Sequence, residues 1–186
     1  KSGIPHHILT RNPNQKNQIK FDLLNGNLEE LAKITNSHSH IIHCAWYVDR
    51  NMYRNSDSNF EWIAATVKLA ATLDNNVVKH FTGIGSCLEY KPSLRVKSHK
   101  CKIDPVCKYG ISKVATFVAL RDIFKKKKIK FAWARPFHMY GNNEHKNKLV
   151  PTVLSYVEKN TAYEFTASNQ IIDLSHVEDV ANDIIS

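Results

Sequence analysis

Three side chains in this sequence have the types and spacing of a proton-transfer unit. Tyr109 and Lys113 lie four residues apart in Lys108-Tyr109-Gly110-Ile111-Ser112-Lys113, at the start of a long apolar-periodic segment. If that segment is helical, the phenol and the ammonium sit one turn apart on one face. A free tyrosine, with a pKa of about 10, is too weak an acid for work at neutral pH. A cation beside it favours the phenolate and brings the group toward the range where acid–base catalysis is efficient. The third is Ser86, in Gly85-Ser86-Cys87-Leu88-Glu89-Tyr90, which follows the apolar run Val77–Gly83. A hydroxyl leaving the carboxyl end of a buried strand stands where open α/β sheets place their chemistry. A solvated helix pair shows the same Tyr-Lys spacing, so the surrounding elements decide.

Val77–Gly83 and Ile129–Ala134 read as strands, and His40–Trp46 is a continuous apolar run of the kind found in parallel strands covered on both faces. His6–Thr10 and Gln18–Leu23 read as shorter strands. Asn27–Ile34 reads as a helix capped by Asn27, with Glu29 and Glu30 in its first turn. Phe60–Leu73 repeats apolar residues at helical intervals through Ile63 and Val67. The Tyr109 helix carries Ile111, Val114, Phe117, Val118 and Phe124 around most of its circumference, more apolar surface than one sheet face needs. Thr152–Lys159 looks helical, Glu164–Thr166 and Gln170–Leu174 look like short strands, and Val177–Ile185 opens a helix. Arg50–Asn59 is a polar loop over the site, and the basic stretch Lys91–Lys108 arches over it.

A length of 186 residues makes one domain the default and is enough to bury a core. Hydrophobic content of 42% and charged content of 23% are those of a soluble globular protein. Cys44, Cys87, Cys101 and Cys107 show no paired metal spacing and are too few for a disulfide scaffold, which points to a reducing cytoplasm. No apolar run approaches the roughly 20 residues of a membrane span, and the first residues lack a signal-peptide pattern, so no membrane partner is expected. His38, His40 and His43 have no helical partner spacing or neighbouring carboxylate; His43 reads as a core histidine and no metal is expected. The formal charge of +9 suits either nucleic acid or an anionic nucleotide substrate. Its excess lies chiefly in Lys125–Lys128 and Lys130, at the end of the Tyr109 helix, where cations complement the macrodipole.

Taken in order, the Gly-Ser-Cys-Leu-Glu-Tyr turn, Tyr109-Gly-Ile-Ser-Lys113, Ala134-Arg135-Pro136-Phe137-His138-Met139-Tyr140-Gly141 and Asp173-Leu174-Ser175-His176-Val177-Glu178-Asp179-Val180 resemble the extended short-chain dehydrogenases, the nucleotide-sugar epimerase/dehydratase group. The resemblance runs over nearly the whole chain. It implies an α/β fold, a Rossmann-type doubly wound parallel sheet over residues 1–141, with the start of a small substrate-binding portion over 142–186. It also implies that the first strand and the Gly-rich loop that cradles the cofactor pyrophosphate should lie upstream; no G-x-G-x-x-G occurs here, so the chain looks truncated or is a fragment of a longer product.

The same resemblance assigns the site. Ser86, Tyr109 and Lys113 form the catalytic triad, with Tyr109 and Lys113 also at the cofactor. Arg11, at the end of the strand that selects the cofactor, takes the place of an acid and points to NADP, with NAD possible. Asp22 and Leu23 lie at the adenine, Ala45 in the His-x-Ala segment beneath the cofactor, and Pro136 and Phe137 at the nicotinamide. His138 faces the sugar and Leu149 lies in the base-binding segment, with Ser86 also on the substrate. The two long helices are expected to pair across a two-fold axis in a homodimer.

Two departures narrow the expectation. Ile172 stands where the family carries an Arg for the substrate diphosphate, and an Ile supplies neither charge nor donor. Cys87 and Leu88 replace the Asp-Glu pair of 4,6-dehydratases, which disfavours dehydration. The reading is an NADP-dependent reductase of a 4-keto nucleotide sugar. A sugar epimerase and a degenerate, non-catalytic nucleotide-binding member are the alternatives. A nucleic-acid-binding module rests on net charge alone, and no nucleic-acid partner is expected.

Overall fold

The computed structural model describes residues 3–49, 51–92, 98, 100–164 and 172–186. Its centre is a three-stranded parallel sheet of β3 (His40–His43), β4 (His80–Ile84) and β5 (Lys130–Ala134), in the order β3-β4-β5. His43 aligns with Gly83, and Gly83 with Trp133. Strands β1 (Ile8–Thr10) and β2 (Gln18–Lys20) form a parallel pair, and β6 (His138–Tyr140) and β7 (Leu174–His176) another. The α/β class and parallel pairing agree with the sequence reading.

One face of the central sheet is covered by α1 (Leu28–Thr35), α2 (Ser58–Thr72) and α3 (Lys108–Lys127). Phe21, Leu31, Leu69, Leu73, Val78, Phe81, Leu120, Phe124 and Ile129 make one cluster between these helices and the strands. Phe81 and Phe124 touch at 4.7 Å between ring centroids and are fully buried, so the sheet and the long helix are locked through an aromatic pair. Helix α1 starts where Asn27 accepts from the Glu29 and Glu30 amides, as its capping residue predicts. At the other end of α3, Lys128 adopts a left-handed conformation and ends the helix. Lys127 there donates to the carbonyls of Ala71 and Leu73, closing the end of α2. Helices α4 (Leu149–Glu158) and α5 (Val177–Ile185) follow, the latter running directly from β7. The β6–β7 pair joins residues on both sides of position 141.

Several strands are shorter than their apolar runs. Val77 and Val78 lie in a turn whose amides bond to the Asp74 carbonyl; Val78 is buried, but the ladder begins only at His80. Asp74 captures the Asn76 amide and so makes the turn competitive. Strand β2 stops before Asp22 because the Asp22 carboxylate takes the Leu24 amide. Strand β3 ends at His43, where Trp46 turns its indole toward Asn59. Helix α4 begins at Leu149, three residues before its expected start, with Pro151 in the first turn where no amide partner is needed. The expected strand Glu164–Thr166 falls largely outside the described residues, as does the beginning of Gln170–Leu174; the strand in this region is Leu174–His176.

Candidate active site

The triad is assembled by three elements. Strand β4 delivers Ser86 through a 3-10 turn, Cys87–Glu89, that begins immediately after it. Ser86 caps this turn by accepting from the Leu88 amide at 3.2 Å. Helix α3 brings in Tyr109 and Lys113 on successive turns. Its first turn can approach because residue 110 is glycine: a Cβ there would collide with the Leu88 carbonyl and Pro105. The Ser86 hydroxyl lies near enough to the Tyr109 phenol to favour its ionised form. Lys113, only 3% exposed, donates to the Ile84 carbonyl at 2.7 Å, two residues before Ser86.

The electrostatics differ from the expectation that Lys113 makes Tyr109 a stronger acid. Burial pushes the phenol up to about 12, the neighbouring Tyr53 adds to this, and the Ser86 hydroxyl only partly opposes it. Lys113 is turned toward Ile84 and lies over the Trp46 ring, 3.9 Å from its centroid, against 5.7 Å for the Tyr109 ring. Desolvation lowers its ammonium to about 7. The pair shares a face as the spacing predicts, but burial is the largest cause of both shifts. The Tyr109 phenol therefore keeps its proton across the neutral range.

Four groups that the sequence reading did not single out build the walls. Trp46 is buried, donates to Asn59 Oδ1 at 2.9 Å and meets Tyr109 edge-on at 6.4 Å. Asn59 in turn donates to the Tyr53 and Ser56 carbonyls, which fixes the expected loop against the site. Tyr53 stands edge-on to Tyr109 at 5.1 Å, and the Tyr109 amide donates to the Arg54 carbonyl. Glu89 is fully buried and bonds Ser86, Trp133 and Arg135. The pattern Ser86-x-x-Glu89 is a capping box and could have revealed it; no comparable sequence signal marks Trp46 or Asn59.

Pro136 and Phe137 are brought beside the triad: the Cys87 amide donates to the Pro136 carbonyl at 3.2 Å, and Phe137 stacks on Tyr90 at 6.1 Å. Ala45 is exposed, next to Trp46. Arg11 and Asp22 form a second group just after β1 and β2, with Leu23 half-buried beside them. Hydrogen bonds from Asn25 and the Leu24 amide hold the Asp22 carboxyl below its ordinary range, with a small contribution from Arg11. His138 opens β6 and Leu149 opens α4, both exposed; among the described residues, no hydrogen bond or ring contact joins either to Ser86, Tyr109 or Lys113. Ile172 is exposed beside Asp173.

His43 is the core histidine expected: its Nε2 bonds with Thr66 Oγ1 at 3.0 Å, and burial lowers its pKa to about 3. All four cysteines are free thiols. Among the described residues, no helix is long and apolar enough to cross a membrane.

The sequence matches the NAD dependent epimerase/dehydratase family over residues 1–185. No curated protein matches it. Among solved structures, UDP-glucuronic acid 4-epimerase from Bacillus cereus, in complex with UDP-glucuronic acid and NAD, aligns over 90% of this chain and 54% of its own, with a TM-score of 0.71 at 17% identity. MoeE5 in complex with UDP-glucose and NAD aligns over 95% of this chain and 61% of its own, with a TM-score of 0.74 at 20% identity. UDP-N-acetylglucosamine 4-epimerase from Methanobrevibacter ruminantium M1 gives 0.73 at 21% identity, over 94% of this chain and 58% of its own. This chain thus spans a little over half the length of the structures it resembles, and the likeness is one of fold. With the family match extending from the first residue to the penultimate one, the chain belongs to the NAD dependent epimerase/dehydratase family.

Proposed function

We propose that the protein carrying this chain is a nicotinamide-dependent oxidoreductase of a 4-keto nucleotide sugar, with NADPH as the reductant. The observation that supports it most is the placement of Tyr109 and Lys113 one turn apart at the start of α3, packed against the Ser86 turn that leaves β4. The residues fit such a cofactor. Lys113 presents a buried ammonium for ribose hydroxyls, Asp22 retains acceptor capacity for an adenine amine, and Arg11 offers a cation to a ribose phosphate.

When bound, the nicotinamide supplies the hydride. Tyr109 donates its phenolic proton to the carbonyl oxygen as that hydride reaches the carbon, so the carbonyl becomes an alcohol. Ser86 Oγ accepts from the Leu88 amide, and its hydroxyl hydrogen turns to the same oxygen, where negative charge develops.

A second reading, a 4-epimerase, is favoured by the names of the similar structures, which include epimerases of UDP-sugars. It requires Tyr109 also to act as a base in the opposite half-reaction. Ile172 leaves diphosphate binding to groups other than a family-type Arg. We also assign residues 142–186 to the substrate-binding portion, with His138 and Leu149 contributing to it. Phe60, Ile111 and Val118, exposed on α2 and α3, support a homodimer through those helices. The four free thiols suit a cytoplasmic location.

The experiment is steady-state and single-turnover kinetics of the full protein with NADPH or NADH and 4-keto or 4-hydroxy nucleotide sugars. Tyr109→Phe should lower kcat by about 10³-fold with cofactor binding unchanged. Wild-type turnover in Tyr109→Phe would remove the reading.

A further inference from the structure

Glu89 is a carboxylate with no exposure to solvent, placed three residues after the candidate catalytic hydroxyl. Its Oε1 accepts from the Ser86 amide at 2.8 Å and from Trp133 Nε1 at 3.1 Å. Its Oε2 accepts from Arg135 Nε at 2.6 Å and from Trp133 Nε1 at 3.2 Å. The donors come from two places, the end of β4 and the end of β5. The space for the carboxylate is provided by Gly85, where a Cβ would collide with Glu89 Oε1 and Trp133 Nε1. Arg135 is itself held over the rings of Phe117 on α3 and Tyr90, at 4.9 and 5.5 Å.

A buried ion pair is a weak source of stability, since a well-packed apolar pair in its place is often no less stable. Here one oxygen is directed to the backbone of Ser86, in the turn against which the first turn of α3, carrying Tyr109, is packed. The other fixes the base of the Arg135-Pro136-Phe137 segment, whose Pro136 carbonyl receives the Cys87 amide. The Ser86 backbone is held at its amide by the Glu89 carboxylate and at its carbonyl by the Glu89 amide at 3.2 Å, while its hydroxyl accepts from the Leu88 amide.

We infer that Glu89 is a positioning residue, which holds the Ser86 hydroxyl in line with Tyr109 and joins it to the Arg135–Phe137 segment. This rests on the reductase or epimerase reading above. Glu89 touches no reacting atom; it acts through Ser86.

The test uses two double variants of the full protein that both remove the ion pair and so leave no unpaired buried charge. In Glu89→Gln with Arg135→Met, the side-chain carbonyl at 89 can still accept from the Ser86 amide. In Glu89→Leu with Arg135→Met, it cannot. The expected result is a kcat at least about tenfold higher in the Gln variant than in the Leu variant, with cofactor KM equal within about twofold. Hydrogen exchange of the Ser86 amide should be at least tenfold faster in the Leu variant, while α3 amides are unchanged. Equal kcat and equal Ser86 exchange in the two variants would overturn the inference and leave Glu89 as a structural ion-pair partner. Tyr109→Phe is measured alongside. If it retains wild-type turnover the functional reading fails, whereas an inactive Tyr109→Phe with indistinguishable double variants sinks only the role of Glu89.

Discussion

The two ends of the candidate site are built differently. Around Ser86, Tyr109 and Lys113 the supporting groups are buried and bonded: Lys113 to a carbonyl, Glu89 to three donors, and Trp46 to Asn59. Around Arg11 and Asp22 the chain is short-stranded and open, and the carboxylate is satisfied by its own turn. The enclosed corner moves pKa values by several units because water is excluded; the open corner leaves charges screened and exchangeable. In the proposed function, chemistry falls where reorganisation is costly, and selectivity for the cofactor where substitution is cheap.

The sharpest way to break this contrast is at Lys113. Its ammonium falls from 10.5 to about 7 in the folded chain, so between those values the unfolded chain holds a proton that the folded one does not. Stability accordingly rises with pH across that window, is present in full above about 10.5, and is lost as pH falls to about 7. Lys113→Met should abolish that rise in a denaturant titration repeated at pH 6, 8 and 10. It should also cost about 10²-fold or more in kcat/KM. The stability difference has an upper limit of roughly 5 kcal/mol at and below pH 7, reduced by loss of the Ile84 and Trp46 contacts. A variant whose pH dependence equals that of the wild type would show that the corner is wet.

A smaller effect belongs to the open end. Arg11→Asp should weaken NADP binding by about tenfold and improve NAD binding, with kcat and thermal stability unchanged, because the exposed side chain is anchored to no part of the core. Titration of the two dinucleotides by calorimetry reads this directly. A variant that lost folding instead would mean that the open end is structurally coupled to the core.

The smallest change tests how tightly the enclosed end is packed. Ser112, fully buried on α3 between Tyr109 and Lys113, has a hydroxyl without a hydrogen-bond partner. Ser112→Ala should leave activity unchanged and raise stability by about 0.5–1 kcal/mol, since an unsatisfied buried hydroxyl costs free energy that a methyl does not. Loss of stability in thermal melts would reveal a partner for that hydroxyl.

What could be read without coordinates follows from local rules. The Tyr109–Lys113 spacing, the Asn27 cap, the core histidine and the parallel strands at His40 and Ile129 are properties of short segments, each with its own period or end signal. Glu89 was legible only in part, as the last residue of Ser86-x-x-Glu89. Its charged partner Arg135 lies 46 residues away, and no local pattern couples the two.

The sequence by itself determined the family, the α/β class and which side chains meet on α3, because helix periodicity puts residues four apart on one face whatever surrounds them. Only the tertiary structure decided what those side chains are chemically. Whether Tyr109 is strengthened or weakened as an acid depends on how much water its neighbours exclude and where Lys113 finds a partner. Desolvation is a sum over elements far apart in the chain, and so was visible only once β4, α3 and the Trp46 segment had come together.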